Sequence, residues 1–349
     1  MKIALVLDRV IPTQKYGESE RILWWHSRQL VEAGHEVLLW VREGSHCKHA
    51  PVVALSRNKP LADQLPKDVS LVHFFHPPTP LCLRDLSKPY VITYFENATK
   101  PCSLDPNTVF LSASHAARHG GRVYVYPGLD FRDYGEVQPE RPRHYFHFLA
   151  EADVPGRGIK EAIALAGRAG VRVHIIGSRR VSLSPDVRIT LSPHARFHAL
   201  LPRQGRNTLI NGSRGLLFPI RWHEPFGLPV IESLYFGCPV FGTPFGALPE
   251  IVCGKSYTPN GTWSGAVDGC FSDFGCLSTR QSELVDAIRS GADARSPLRC
   301  HQYVREQFSA ERMYRAYVRL YEQVLDGQPL HPEPLGIDTP ASRRLPIEA

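Results

Sequence analysis

Short runs of apolar and β-branched residues alternate along this chain with stretches of helical periodicity, and the alternation starts twice. The run "IALVL" is followed by a stretch carrying apolar Ile22, Leu23, Leu30 and Val31, which ends near Gly34, and then by "HEVLLWV". "DVSLVHFF", "PYVITYF", "TVFLSAS" and "RVYVYPG" come next, each bounded by polar, Pro or Gly punctuation. A charged, proline-bearing gap, "GEVQPERPRH" at 135–144, precedes a second series. There "YFHFLAE", "VRVHIIGS", "GLLFPI" and "CPVFGT" alternate with helical "GIKEAIALAGRAG", a helix around Gly205–Asn211 and "LPVIESLYFG". Strands joined by helical crossovers pair in parallel and are covered on both faces. The pattern predicts an α/β fold of two Rossmann-like, doubly wound domains joined near residue 140.

Length agrees with that division, because 349 residues exceed the roughly 250–300 at which single cores stop growing. The expected domains are 1–140 and 141–308. A closing helix at 309–327 follows, with Ser309 as N-cap and Met313, Tyr317, Leu320 and Val324 in one apolar stripe. Arg312, Arg315 and Arg319 share another, solvated face. The tail 328–349 is proline-rich without apolar periodicity and is expected to be weakly ordered.

With 43% hydrophobic and 21% charged residues the composition is that of a soluble globular protein. No run approaches the roughly 18 apolar residues of a membrane span, and the five apolar residues Ile3 to Leu7 are too few for a signal peptide. A cytoplasmic location is therefore expected. Eight cysteines without any C-x-x-C pair signal neither a zinc knuckle nor a disulfide framework, and reduced thiols are expected. A net charge of +7 and a pI near 9.0 favour anionic partners. Lys and Arg are dispersed without the basic-aromatic cluster that a nucleic-acid-binding chain requires.

The segment "HEPFGLPVIE", His223 to Glu232, carries the chemistry. "GLLFPI" reads as a buried strand, and ligands of open parallel sheets collect beyond the carboxyl ends of strands, so Arg221 to Gly227 form the binding loop. Pro229 fits the first turn of the next helix, whose free amides attract an anion. Glu224 then lies in the loop and Glu232 about one turn into the helix. Carboxylates beside an anion site suit donating sugar hydroxyls on either side of a phosphate. A polyhydroxylated ligand with phosphate in its middle is a nucleotide sugar.

This E-x7-E spacing, with Pro-Phe-Gly after the first Glu and "GCPVFGTPFGALPEIV" beyond, resembles the donor motif of the retaining GT-B glycosyltransferases of family 4. The resemblance runs from Met1 to about Leu325. It implies two Rossmann-like domains facing each other across a cleft, with the acceptor on the first, the nucleotide sugar on the second, and the closing helix packed back on the first. It places Glu224 on donor-sugar hydroxyls, Glu232 on the ribose, and the amides of Phe226, Gly227 and Leu228 on sugar and phosphate, with Gly177 and Phe197 completing the donor site. "YGESERILWW" resembles the family's G-G-x-E-R loop, with Gly17, Glu20 and Arg21 kept and Glu18 in place of the second Gly. "YVYPGLD" resembles the "PNGVD" element, keeping Gly128 and Asp130. In "FLAEADVPGRG" Arg157-Gly158 stands for the family's Lys-Gly on the diphosphate, whereas Glu151 stands where an Arg is usual. Phe95 occupies the place of a first-domain His, with Glu96 after it, and His73 and His76 of "VHFFHPP" are its nearest substitutes on the acceptor side.

The chain contains no D-x-D, the usual carboxylate pair for a metal on a sugar diphosphate, so the expected reaction requires no metal and no cofactor beyond a UDP- or GDP-sugar donor. Arg157, loop amides and a helix N-terminus then meet the charge on the departing diphosphate, which makes Glu224 and Arg157 the expected catalytic residues. The resemblance further implies retention of configuration and a glycan or lipid-linked acceptor in lipopolysaccharide or exopolysaccharide synthesis. Weak peripheral contact with an anionic membrane is expected through Lys15, Arg21, Arg28, Arg118 and Arg122. Two alternatives stay open: a catalytically weakened nucleotide-sugar-binding protein, suggested by Glu18, Glu151 and Phe95, and a transferase acting on a small soluble acceptor.

Overall fold

The structure, a computed structural model, describes residues 1–13, 17–149, 157–182, 188–189, 191–254, 270–292, 296–333, 335–337 and 345–348. Glu151 and Lys15 lie outside the described residues. The chain divides into two compact units, Met1–Asp130 with Ser309–Pro340, and Phe131–Phe308 with Ala341–Ala349.

The first unit begins with β1 (Lys2–Leu7), α1 (Glu18–Glu32), β2 (Glu36–Val41), β3 (Val52–Ala54), β4 (Leu71–Phe74), α2 (Pro80–Leu83), β5 (Tyr90–Thr93), β6 (Cys102–Leu104), β7 (Thr108–Val109) and α3 (Ala113–Ala117). Six strands pair in parallel in the order β3-β2-β1-β4-β5-β7. The second unit contains β8 (Tyr145–Leu149), α4 (Ile159–Ala169), β9 (Val173–Ile176), β10 (Val181–Ser182), β11 (Arg188–Ile189), β12 (Ala195–His198), α5 (Arg203–Asn211), β13 (Ser213–Phe218), α6 (Leu228–Tyr235), β14 (Val240–Gly242), α7 (Leu248–Cys253), β15 (Cys270–Ser272), β16 (Gly275–Leu277), α8 (Gln281–Arg289) and α9 (Pro297–Gln307). Its main sheet runs β12-β9-β8-β13-β14-β16-β15, parallel except for the β15–β16 hairpin. α10 (Ala310–Leu325) and β17 (Leu335–Ile337) return to the first unit.

Both sheets step outward from a central strand in one direction and then in the other. Each therefore has a point where successive crossovers diverge, between β1 and β4 and between β8 and β13, and an open α/β sheet offers a crevice there. The continuous apolar runs are what a doubly covered sheet demands: Leu71–Phe74 and Val173–Ile176 are buried at every position. Phe146, Phe148, Leu165, Ile175, Leu217 and Phe241 share one core in the second unit, and Val6, Trp40, Val72, Phe74 and Ile92 share one in the first. "RVYVYPG" forms no strand and contributes a single bridge, Tyr124 to Phe110.

Four expectations are corrected. The units divide after Asp130, upstream of the expected junction near 140, because Phe131 stacks on Tyr235 at 5.1 Å and Arg143 donates to the carbonyls of Ser213 (2.7 Å) and Phe236 (2.8 Å). The charged gap is thus pinned to the second unit. In α10, capped by Ser309, the buried stripe uses Tyr321 with Met313, Tyr317 and Val324, whereas Leu320 is half-buried. Among its described residues the tail is tied at two places: β17 pairs antiparallel with β6, and the amides of Leu345 and Glu348 donate to the carbonyls of Arg221 and Thr279. Finally, Cys253 and Cys270 form a disulfide, brought together by the packing of α7 beside β15, which their separation of 17 residues does not advertise.

Candidate functional site

In the second unit the connections leaving β8 and β13 meet at the switch point. The first delivers Arg157 and Gly158 to the start of α4, and the second carries Trp222, His223 and Glu224 to the start of α6. Gly227, at φ 102°, is the N-cap of α6, a conformation that side chains resist. Gly246 has φ 68°, and a β-carbon there would run into the backbone of Glu224. That close approach lets the Ala247 amide donate to the Glu224 carbonyl at 2.9 Å and fixes the loop from behind.

Glu224 is 3% exposed, and its Oε2 lies 3.5 Å from Nη1 of Arg157. The guanidinium stacks over the Trp222 ring, 4.5 Å from its centroid. Burial raises the Glu224 carboxyl above its ordinary 4.5, opposed by the charge of Arg157 and by the Trp222 indole. The indole N–H favours the charged carboxylate from nearby, yet it falls short of hydrogen-bond geometry. Arg221, on the same loop, reaches Glu161 in the first turn of α4 at 3.4 Å and donates from Nε to the Leu345 carbonyl at 2.9 Å. A buried carboxylate paired with a half-buried guanidinium beside two helix N-termini can hold hydroxyls and oppose the charge of an anion.

Phe226 is fully buried against Phe308, so only the backbone of Phe226, Gly227 and Leu228 is available to a ligand. Gly177 follows β9, its amide bonded to the His198 carbonyl at 3.0 Å, and Phe197 lies on the adjoining β12 with Arg180 over its ring. Glu232 is fully buried, and its Oε1 accepts from the Tyr134 hydroxyl at 2.8 Å and from Arg206 at 3.0 Å. The carboxylate expected on the ribose therefore serves as an internal hub. Sequence reasoning missed Trp222, Tyr134 and Arg206. A Trp two residues before Glu224 was a visible signal, whereas nothing local ties Tyr134 or Arg206 to Glu232.

The remaining candidates belong to the first unit. Gly17 is the N-cap of α1, with Glu18 in its first turn. His73 is fully buried, its two ring nitrogens bonded to the Tyr321 hydroxyl (2.6 Å) and to Thr93 (2.7 Å), so it is a packed core histidine. His76 and Phe95 are half-buried and Glu96 is exposed. Burial lowers the His76 pKa. The cations expected at a membrane are partly spent inside: Arg21 is buried over Trp25, and Arg28 pairs with Asp130 at 2.7 Å. Among the described residues no helix is long and apolar enough to cross a membrane, and no group of three or more His, Cys, Asp or Glu is placed to hold a metal ion.

No protein-family model matches the chain, and no curated protein has a matching sequence. Solved structures do match. AviGT4, a glycosyltransferase involved in avilamycin A biosynthesis, superposes with a TM-score of 0.70 at 21% identity, covering 93% of this chain and 98% of its own. The chain has the GT-B fold. Sucrose-phosphate synthase from Thermosynechococcus elongatus gives 0.65 at 16% identity over 94% of this chain and 100% of its own. Anabaena HepE, solved with UDP and glucose, gives 0.61 at 14% identity over 93% and 100%.

Proposed function

We propose that this chain is a glycosyltransferase that moves a sugar from a nucleotide-sugar donor to an acceptor hydroxyl. The observation that carries the reading is the pairing of half-buried Arg157 with buried Glu224 at the β8/β13 switch point, on a fold similar to those of glycosyltransferases. Glu224 accepts from donor-sugar hydroxyls. Arg157, the N-terminus of α4 and the loop amides oppose the charge that develops on the departing diphosphate. The acceptor attacks the face that the nucleotide leaves, the configuration is retained, and the leaving phosphate takes the acceptor's proton. We place the chain among the family 4 enzymes, with a UDP- or GDP-sugar donor. The absence of D-x-D from the sequence supports turnover without a divalent cation.

His76, Phe95 and Glu96 are the acceptor-side candidates that remain once His73 is occupied. We assign the acceptor to a cell-surface glycan or lipid-linked saccharide reached from the cytoplasm, with weak, salt-sensitive attachment to anionic lipid. Calorimetric titration with UDP and with GDP, followed by mass spectrometry of donor hydrolysis with EDTA present, tests the reading. Binding and turnover of one nucleotide's sugars support it, and binding of neither nucleotide overturns it. Nucleotide binding without hydrolysis or transfer selects the weakened binding protein.

A further inference from the structure

Three buried polar atoms without a hydrogen-bond partner meet on the two loops of the switch point: Nε of Arg157, Nε1 of Trp222 and Oε2 of Glu224. Buried polar groups are almost always paired, so three such atoms around one ion pair call for a physical reason. At low local dielectric a carboxylate and a guanidinium are drawn into close, parallel hydrogen bonds. Here they stop at 3.5 Å. The guanidinium is also held by the Trp222 ring, 4.5 Å from centroid to Cζ, and stacking on an indole face is the strongest of the cation–π arrangements.

We propose that Trp222 is a positioning residue that holds Arg157 away from a closed pair with Glu224. The guanidinium then stays open to the oxygens of a diphosphate, and the carboxylate stays open to a sugar hydroxyl. This rests on the donor-site reading above and adds the residue that keeps the site from satisfying itself. Without the ring, Arg157 closes onto Glu224, each consumes the other's bonding capacity, and the nearer cation lowers the Glu224 pKa.

The test compares Trp222→Leu, which removes the ring, with Trp222→Phe, which keeps a ring and removes the N–H. UDP-glucose and a GDP-hexose are offered to each, with thermal unfolding to show that the variants fold. Trp222→Leu is expected to lose roughly tenfold in kcat and to move the acid limb of kcat/KM to lower pH, while Trp222→Phe recovers most of the loss. Equal impairment of the two variants, or a Leu variant with unchanged kcat and acid limb, overturns the proposal. Absence of nucleotide binding by the unaltered chain is instead the failure of the proposed function. In that case the crystal structure of Trp222→Leu decides: hydrogen-bonded contact between Arg157 and Glu224 supports the positioning role, and a pair still 3.5 Å apart overturns it.

Discussion

The two units use one strand order and fill its switch point in opposite ways. In the first, the polar groups near the ends of β4 and β5 satisfy one another: His73 bonds Tyr321 and Thr93, Thr93 bonds Tyr317 at 2.8 Å, and His26 bonds Tyr321 at 2.6 Å. Within that network only Nδ1 of His26 lacks a hydrogen-bond partner. In the second, Arg157, Trp222 and Glu224 each bury a polar atom that has no hydrogen-bond partner. The same order of parallel strands thus yields a clamp for α10 in one place and a charged pair with unused bonding capacity in the other. The fold locates both crevices, and the side chains that fill them differ.

The largest expected effect concerns the carboxylate that behaves like the first unit's network although it lies in the second. Glu232→Ala strands Arg206 in a buried site, and losing one partner of such a pair costs about 3–5 kcal/mol. Urea unfolding measures it. Stability within about 1 kcal/mol of the unaltered chain, with donor affinity lost, would return Glu232 to the ribose.

Glu224→Gln keeps shape and removes charge, so turnover should fall on the order of 10²–10³-fold while nucleotide affinity changes much less. A loss confined to KM would make Glu224 a binding residue alone. Because burial raises its pKa, kcat/KM should fail on the acid side at a pH above 4.5. Arg157→Met, which removes the opposing cation, should move that limb higher still. A limb that stays put would mean that another group titrates.

Most of the fold was legible because its determinants are local. Runs such as "HEVLLWV" and "VRVHIIGS" are mostly apolar, as doubly covered strands must be, and they appear as β2 and β9. The E-x7-E segment was legible for the same reason, since loop, Pro229 and helix are contiguous. Illegible were features created by distant chain meeting distant chain: Glu232 with Tyr134 and Arg206, Cys253 with Cys270, and Leu345 with Arg221. His73 shows the same limit, because its place on β4 fits a ligand as well as the more frequent core residue, and Tyr321 decides between them from 248 residues away.

Tyr321→Phe tests the first unit's half of the comparison. It removes a hydroxyl shared by two buried imidazoles, leaving each short of a partner, and should cost about 1–3 kcal/mol without touching donor affinity. A stability change below about 0.5 kcal/mol would mean that shape, and not polar satisfaction, holds α10 in place.

The last effect is the dependence of stability on pH, and its sign follows from burial. An unfolded histidine takes a proton near 6.5, whereas burial pushes His26 down to about 3 and His73 well below its usual range. Between those values the unfolded chain binds more protons than the folded one. Stability is therefore complete above pH 6.5 and is lost as pH falls through that window, by up to about 1.4 kcal/mol per pH unit for each such histidine. His147, buried between Ser213 and Ser233 and likewise held to about 3, gives the second unit the same slope, so acid sensitivity alone does not distinguish the units. His26→Leu removes one titrating group from the first unit only. The fall in urea midpoint between pH 7 and pH 5 should then be shallower than in the unaltered chain, with the acid limb of turnover unmoved because Glu224 sets it. An unchanged slope would mean that His26 accepts its proton without cost, and that the network around Tyr321 yields in a way its geometry does not suggest.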